Sequence, residues 1–428
     1  MLEILKKPFN KIVINISIIL FFSSISFKVN SINFKSYNND ELVYNYTILS
    51  PDNIHYIPPI KHILNGNGYT CDPSDKGMQV RRVPGYSLFY GIHYLIFGEK
   101  YSFYFIRITQ CFLFGLSVLL LRKLLQASNL GHISTLAMFL YGFSPYIISF
   151  HFLTITESIH PEIVVIAFYF FFSAIKSNNK YQYFLAGIFL TISFLIRPTN
   201  GLILIVFSIF LLLMYFKKQI IIKQILLFYI GILAIWAPWI IRNYKITNGE
   251  IILLEKYYIA PMDYGILQVG LSNWWMCWGN PRPEKLLGEI SGTINTVNYK
   301  YKINEMVNNL PKDAFIGNNK KDIYDAFVLV HDAYEYAYQN NIIFSYKPNQ
   351  QIYDLDYTTY KKLKILEKNF KKTSPLRAYF ISPIFYRGKE FVFQSFSSNF
   401  KYLNSPPNNF FKLTMKSIMY LLNISLFV

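Results

Sequence analysis

The chain has 428 residues, 53% of them hydrophobic and 15% charged, with a mean hydropathy of +0.25. That balance excludes an ordinary soluble enzyme and makes the bilayer the solvent. The formal net charge of +18 does not point to nucleic acid, because Lys and Arg are spread thinly between apolar runs and form no basic groove with stacking platforms.

A membrane-crossing helix needs roughly 20 largely apolar residues. The first candidate covers 12–27, between Lys11 and Lys28; no small-x-small cleavage site follows it, so it reads as an uncleaved anchor. Further candidates cover 103–121, 133–150, 159–175, 183–196, 202–216 and 224–241, which makes seven core spans. A last apolar run from about 411 stops at Val428 in mid-helix, so 411–428 is expected to start a further span in a chain cut short there.

Basic residues resist translocation and set the orientation. With the N-terminus cytoplasmic, the inner side collects Lys6, Lys7 and Lys11, then Arg122 and Lys123, Lys176 and Lys180, and Lys217, Lys218 and Lys223. The short outer turns near Thr156 and Pro198 carry only Arg197. This holds if 84–97 does not span; that short segment, crowded with Tyr86, Tyr90, His93 and Tyr94, fits a helix lying in the interface. The expected location is the plasma (inner) membrane, multi-pass, with large loops on the outer or periplasmic side.

The fold class is therefore mainly α, a polytopic membrane helical bundle with interfacial helices in its first outer loop, 28–101. Residues 1–245 form the transmembrane domain, and 246–410 an outer-face α+β or irregular domain, to judge from polar runs, turn signals and alternating aromatic stretches. Cys71, Cys111 and Cys277 give no disulfide framework; Cys71 and Cys277 pair only if both face outward. The cluster Trp274-Trp275-Met276-Cys277-Trp278 stacks on flat ligand faces, dips into the interface or forms buried aromatic core.

Chemistry is sought among the outward residues. Asp40 with Glu41 before Tyr44, and Asp52 in Ser50-Pro51-Asp52 before Tyr56, are acids near the membrane, placed to accept a proton from a hydroxyl or simply solvated. Arg81 and Arg82 are either a phosphate clamp or lipid-headgroup contacts. Glu157, where span three turns into span four, needs a partner or a wet cavity, and Glu162 lies one turn deeper. Arg197 pairs with Glu157 or with a lipid-phosphate oxygen, Arg107 inside span two raises the same question, and Arg242 ends span seven beside Trp239.

The order of these signals carries a resemblance. An outer-loop acid, Arg82-x-Pro84-Gly85-Tyr86 leading to Phe97-Gly98, Thr156-Glu157, Arg197-Pro198 and Pro238-Trp239-x-x-Arg242-Asn243-Tyr244 together resemble the GT-C type membrane glycosyltransferases. The likeness is to the family 39 group, which includes protein O-mannosyltransferases and the aminoarabinose transferases of lipid A, and covers about residues 1–250. Two rival acid motifs, and Pro58 with Pro59 where relatives usually carry a small residue, leave the base open between Asp52 and Asp40.

The resemblance implies transfer of one sugar from a polyprenyl-phosphate carrier to a glycan, lipid or protein hydroxyl on the outer face. On that reading Asp52 or Asp40, with Glu41 beside it, takes the proton; Arg81, Arg82, Arg197 and Arg242, with Tyr86, hold the lipid phosphate; and Glu157 shapes the cavity. No cofactor is expected, since no His or Cys cluster offers a metal site, though a divalent metal stays open. The alternatives are a polysaccharide polymerase or ligase, and a transporter or flippase, for which Arg107 and Glu162 are the supporting residues.

Overall fold

The computed structural model describes residues 2–35, 43–44, 47–48, 51–73, 79, 82–128, 130–247, 249, 266–279, 283–340, 350–382 and 417. It divides into two compact units, residues 1–254 with 395–428, and residues 255–394. The expected span at 411–428 lies outside the described residues, Ser417 excepted.

The first unit is a mainly α, polytopic membrane bundle. Its elements are α1 (Leu2–Lys35), a hairpin of two-residue strands β1 (Val43–Tyr44) and β2 (Thr47–Ile48), α2 (Pro58–Leu64), α3 (Gly85–Ala127), α4 (Ser134–Gly142), α5 (Pro145–Ile148), α6 (His160–Ser177), α7 (Lys180–Ile196), α8 (Gly201–Phe216) and α9 (Ile222–Ile246). Among the described residues five helices are long and apolar enough to cross a membrane, and α7 is a shorter apolar one. The chain order of the seven expected spans reappears as α1, the second part of α3, α4 with α5, α6, α7, α8 and α9.

Two breaks modify the expected spans. Helix α3 begins at Gly85, earlier than the span expected at 103, and is interrupted at Gly98 (φ 67°, ψ 176°). A left-handed φ of this kind is costly for any residue with a Cβ, so Gly98 is the place where the short aromatic helix can turn away from the crossing one. The segment expected as one span over 133–150 is two pieces. Pro145 brings no N–H and holds Ser144 extended (φ −62°, ψ 112°), which ends α4. The nine residues of α4 reach only about 13 Å. The broken segment nevertheless follows α1: Phe143 packs on Phe22, and the Ile148 carbonyl accepts from Asn30 Nδ2 at 3.0 Å.

Helices α6, α7 and α9 pack side by side around Phe171, Tyr183, Leu190 and Phe228. Small residues set the spacing between α7 and α9: a Cβ on Gly187 would stand 2.1 Å from the Phe228 carbonyl oxygen, and one on Gly231 2.3 Å from that of Phe184. Backbones this close gain dispersion contacts that a larger residue would forfeit.

The second unit contains α10 (Leu267–Trp278), α11 (Pro283–Ser291), α12 (Tyr299–Asn308), α13 (Lys320–Gln339) and α14 (Gln350–Thr373), and among the described residues no strand. The sequence led to the expectation of an α+β or irregular domain, and the described residues of this unit form helices and the turns between them. In α13 the buried positions Ile323, Phe327, Val330, Tyr334 and Ala337 recur at helical spacing, and this period outweighs the local alternation of Tyr with small residues. Trp274 and Trp278 are fully buried against Phe327 and Leu363, so the aromatic cluster is mostly core. All three cysteines are free thiols.

Asp356 on α14 caps α10, its carboxylate accepting from the amides of Ile266 at 2.8 Å and Leu267 at 2.7 Å. Burial pushes its pKa up to about 6, against the lowering effect of those two bonds. A folded-state pKa raised above the unfolded 3.8 makes stability fullest below about pH 4 and lost as pH rises through about 6. The melting temperature of this unit should fall between those values, and Asp356→Asn should remove the pH dependence while forfeiting one cap bond.

Thermal unfolding of the bundle supplies a second check. Gly187→Val should destabilise it by about 1–3 kcal/mol through overpacking against α9, whereas Gly288→Ala, on α11 of the second unit with nothing within 4 Å of the new Cβ, should leave bundle unfolding unchanged.

Candidate active site

The candidate site gathers at one end of the bundle. It begins with the short 3-10 helix Pro51–His55 and the approach to α3, where Arg82 Nη2 lies 3.7 Å from Asp52 Oδ1 and its guanidinium lies 5.8 Å from the centre of the Tyr56 ring. Tyr56 stands edge-on to Tyr86 at 5.3 Å. Its phenol pKa is raised by burial, partly opposed by the Arg82 charge, and Thr156 lies within hydrogen-bond reach of it.

Thr156 leads to the second half of the site. Its hydroxyl donates to Glu157 Oε2 at 2.9 Å, and Glu157 Oε1 meets Arg197 Nη1 at 2.6 Å. The carboxylate is held by the 3-10 turn Thr156–Ser158 before α6, and the guanidinium by the extended residue that ends α7. Burial pushes the Glu157 carboxyl up, but the Arg197 charge and the bonds from Thr156 and the backbone together outweigh it and hold the pKa below 4.5. Glu157 is therefore a fixed negative charge at neutral pH and a weak base.

Asp52, Arg82, Glu157 and Arg197 are thus joined through Tyr56 and Thr156. Asp52 is exposed at its carboxylate, at 58% of the side chain, whereas Glu157 is at 33%. Tyr86, expected among the binding residues, is instead 1% exposed and buried against Tyr56, Phe89 and Ile159, where it supports the Tyr56 ring. Arg242 is anchored apart from this chain of contacts. It donates to the Tyr69 carbonyl and to Asn243 Oδ1, with its guanidinium 4.8 Å from the Trp239 ring centre. Asp40, Glu41 and Arg81 lie outside the described residues.

Two groups of polar residues support the site from behind. Asn200 donates to His160 Nε2 at 2.6 Å and to the Ser193 carbonyl at 3.2 Å, tying the turn after Arg197 to α6 and α7. Deeper in the bundle, His151 Nδ1 meets Ser26 Oγ at 2.7 Å and its Nε2 meets Glu162 Oε1 at 3.0 Å, all three side chains being fully buried. Gln110 adds a bond to the Leu153 carbonyl at 3.1 Å. These bonds fasten the irregular 149–159 stretch that carries Glu157, and they supply the partner that buried Glu162 requires. Arg107 is likewise engaged, donating to Ser31 Oγ and stacking 4.6 Å from the Phe27 ring centre. Nothing in the sequence marks His151 or His160 as functional, because their partners come from distant segments.

A possible metal group appears in the second unit, where the sequence shows no His or Cys cluster: His331, Asp332 and Glu335 bring ligand atoms within 4.8 Å of one another. His331 Nδ1 faces Asp332 Oδ1 at 3.2 Å, while its Nε2 is buried with no hydrogen-bond partner among the described residues. A metal on Nδ1 would move the ring proton to Nε2, where no described residue accepts it, so these residues fit a His–carboxylate hydrogen bond better than a metal.

Residues 78–244 match the sequence profile of the Alg9-like mannosyltransferase family. The matched stretch is less than half of the 428 residues and holds Arg82, Glu157, Arg197 and Arg242 but not Asp52. It supports a GT-C membrane glycosyltransferase using a lipid-linked sugar, without reaching the family 39 group specifically. No curated protein matches the chain significantly.

The Glu157–Arg197 pair yields a pH test. With its pKa depressed, Glu157 contributes stability above about pH 4.5 that is lost as pH falls through the folded value. Glu157→Gln should lower bundle stability by up to about 1 kcal/mol, the pair being partly solvated. The difference from the parent in thermal unfolding should be constant from neutral pH down to about 4.5 and shrink below it.

Proposed function

We propose that this protein transfers one sugar, foremost mannose, from a polyprenyl-phosphate carrier to a hydroxyl acceptor at the outer face of the plasma membrane, with its N-terminus cytoplasmic. The observation that carries the reading is the joined set of two guanidinium groups and two carboxylates at one end of an apolar bundle, Arg82 with Asp52 and Arg197 with Glu157. The likeness to the Alg9-like mannosyltransferase family favours mannose. The motif series resembling family 39 favours a polyprenyl-phosphate donor, and the basic residues of the opposite loops favour the orientation.

In the proposed step the acceptor oxygen attacks the anomeric carbon while the bond from that carbon to the lipid phosphate breaks. The electron pair leaves with the phosphate. Fixed cations stabilise that developing charge, a role that suits Arg82 and Arg197. The acceptor proton passes to a carboxylate. Of the two described acids the role is assigned to Asp52, whose carboxylate is the more exposed and stands 3.7 Å from Arg82, whereas Glu157 is bound at 2.6 Å to Arg197. Glu157 orients Arg197 and is displaced toward Thr156 when a phosphate oxygen takes its place on the guanidinium. A donor carried by lipid reaches the site laterally from the bilayer, which suits an enzyme whose reacting groups lie at the end of spanning helices.

Turnover of polyprenyl-phosphate mannose by the reconstituted full chain tests the reading. Asp52→Asn should reduce the rate about 10²–10⁴-fold, and Arg82→Ala or Arg197→Ala about 10²–10³-fold. Full activity in Asp52→Asn with loss in Asp40→Asn would move the base to the other acid motif. Turnover of a nucleotide sugar but of no lipid-linked sugar would overturn the donor class.

A further inference from the structure

The opposite end of the bundle contains a cavity of about 660 Å³ between the start of α1, the end of α3 and the end of α6. Helix α6 runs from His160, at the candidate site, to Ser177, and its 18 residues separate the two places by about 25 Å. Four of the lining residues are cations, Lys11, Arg122, Lys123 and Lys176, and among the described residues none that lines the cavity is acidic. Asn15 and Tyr169 add uncharged polar groups.

The cations are only partly provided for by the protein. Lys176 reaches the Gln126 carbonyl at 3.4 Å, but Arg122 Nε is buried without a hydrogen-bond partner among the described residues. Four like charges around one concavity repel one another, and a buried N–H left without an acceptor is costly. An anion with several oxygen acceptors relieves both. A guanidinium beside ammonium groups matches a phosphate, whose oxygens accept paired N–H bonds from the Arg and point-charge contacts from the Lys residues. The cavity also sits at the membrane-surface end of three apolar helices, on the side where the short loops carry the excess of basic residues, so a phosphate there can be attached to acyl chains lying along α1 and α6.

We propose that this cavity binds a phosphate-bearing ligand, foremost the headgroup of an anionic membrane lipid. The site is distinct from the proposed transfer site and does not rest on the sugar-transfer reading. It joins α1 to α3 and α6 at the end where the helix termini would otherwise be held apart by their own charges.

Native mass spectrometry of the full chain, titrated with phosphatidylglycerol, phosphatidylcholine or inorganic phosphate, tests the proposal. Phosphatidylglycerol should be retained in preference to phosphatidylcholine, and each cation removed from the cavity should weaken retention about 5-fold. Arg122→Gln combined with Lys123→Gln should therefore cost about 25-fold, whereas Lys217→Gln with Lys218→Gln, exposed basic residues outside the cavity, should leave retention unchanged. Phosphatidylglycerol that withstands inorganic phosphate supports the lipid source; displacement by inorganic phosphate supports the same chemistry with a soluble source. Equal retention of both lipids would overturn the site in favour of apolar contact without headgroup recognition, and equal loss in both double variants would overturn it in favour of general surface attraction. If the Gln pair fails to fold, Arg122→Lys with Lys123→Arg replaces it: preserved preference supports a charge-based site, and its loss overturns one.

Discussion

A carboxylate and a guanidinium set at the end of apolar helices must find each other or solvent, and the meeting of Glu157 with Arg197 organises everything around it. Each residue ends a segment: Glu157 lies in the turn that starts α6, and Arg197 in the extended residue that closes α7. Their contact at 2.6 Å fixes where the two helices begin and end relative to one another. Thr156 and Tyr56 then connect this pair to Arg82 and Asp52, so that the first loop is tied to the same end of the bundle.

Such an arrangement needs the irregular 149–159 stretch to be rigid, although it has no continuous helix of its own. The bonds of His151 to Ser26 and Glu162, and of Gln110 to the Leu153 carbonyl, come from α1, α6 and α3 respectively. In a low-dielectric interior these bonds are costly to leave unmade. They give Glu162 a hydrogen-bond partner at Oε1, and Arg107 is bonded to Ser31 and stacked on Phe27, so both residues that favoured a transporter have contacts inside the bundle.

The two ends of the bundle are opposite in character. At one end cations are matched by Asp52 and Glu157, which the phosphate of the proposed donor would have to displace or share. At the other end Lys11, Arg122, Lys123 and Lys176 surround a cavity with no lining carboxylate among the described residues. The first arrangement suits transient binding and turnover, and the second suits a resident anion.

Much was legible in the sequence because its causes are local. Apolar run lengths anticipated the chain order of the apolar helices, and Glu157, Arg197, Asp52 and Arg82 were each conspicuous as charges at the edges of apolar runs. Run length could not show that 133–150 breaks at Ser144-Pro145, nor that α3 extends back to Gly85 with its interruption at Gly98, since both depend on backbone dihedrals and packing partners. In the second unit alternating aromatic residues suggested strand or irregular structure, whereas the buried face of α13 keeps a helical period. Tertiary structure alone decided that Tyr56 bridges the site, that Tyr86 is buried beneath it, that Arg242 is bound to Tyr69 and Trp239, and that Arg197 meets Glu157. The reason is physical: a sequence determines which residues must avoid lipid or seek a partner, but the partner is chosen by distances between segments far apart in the chain.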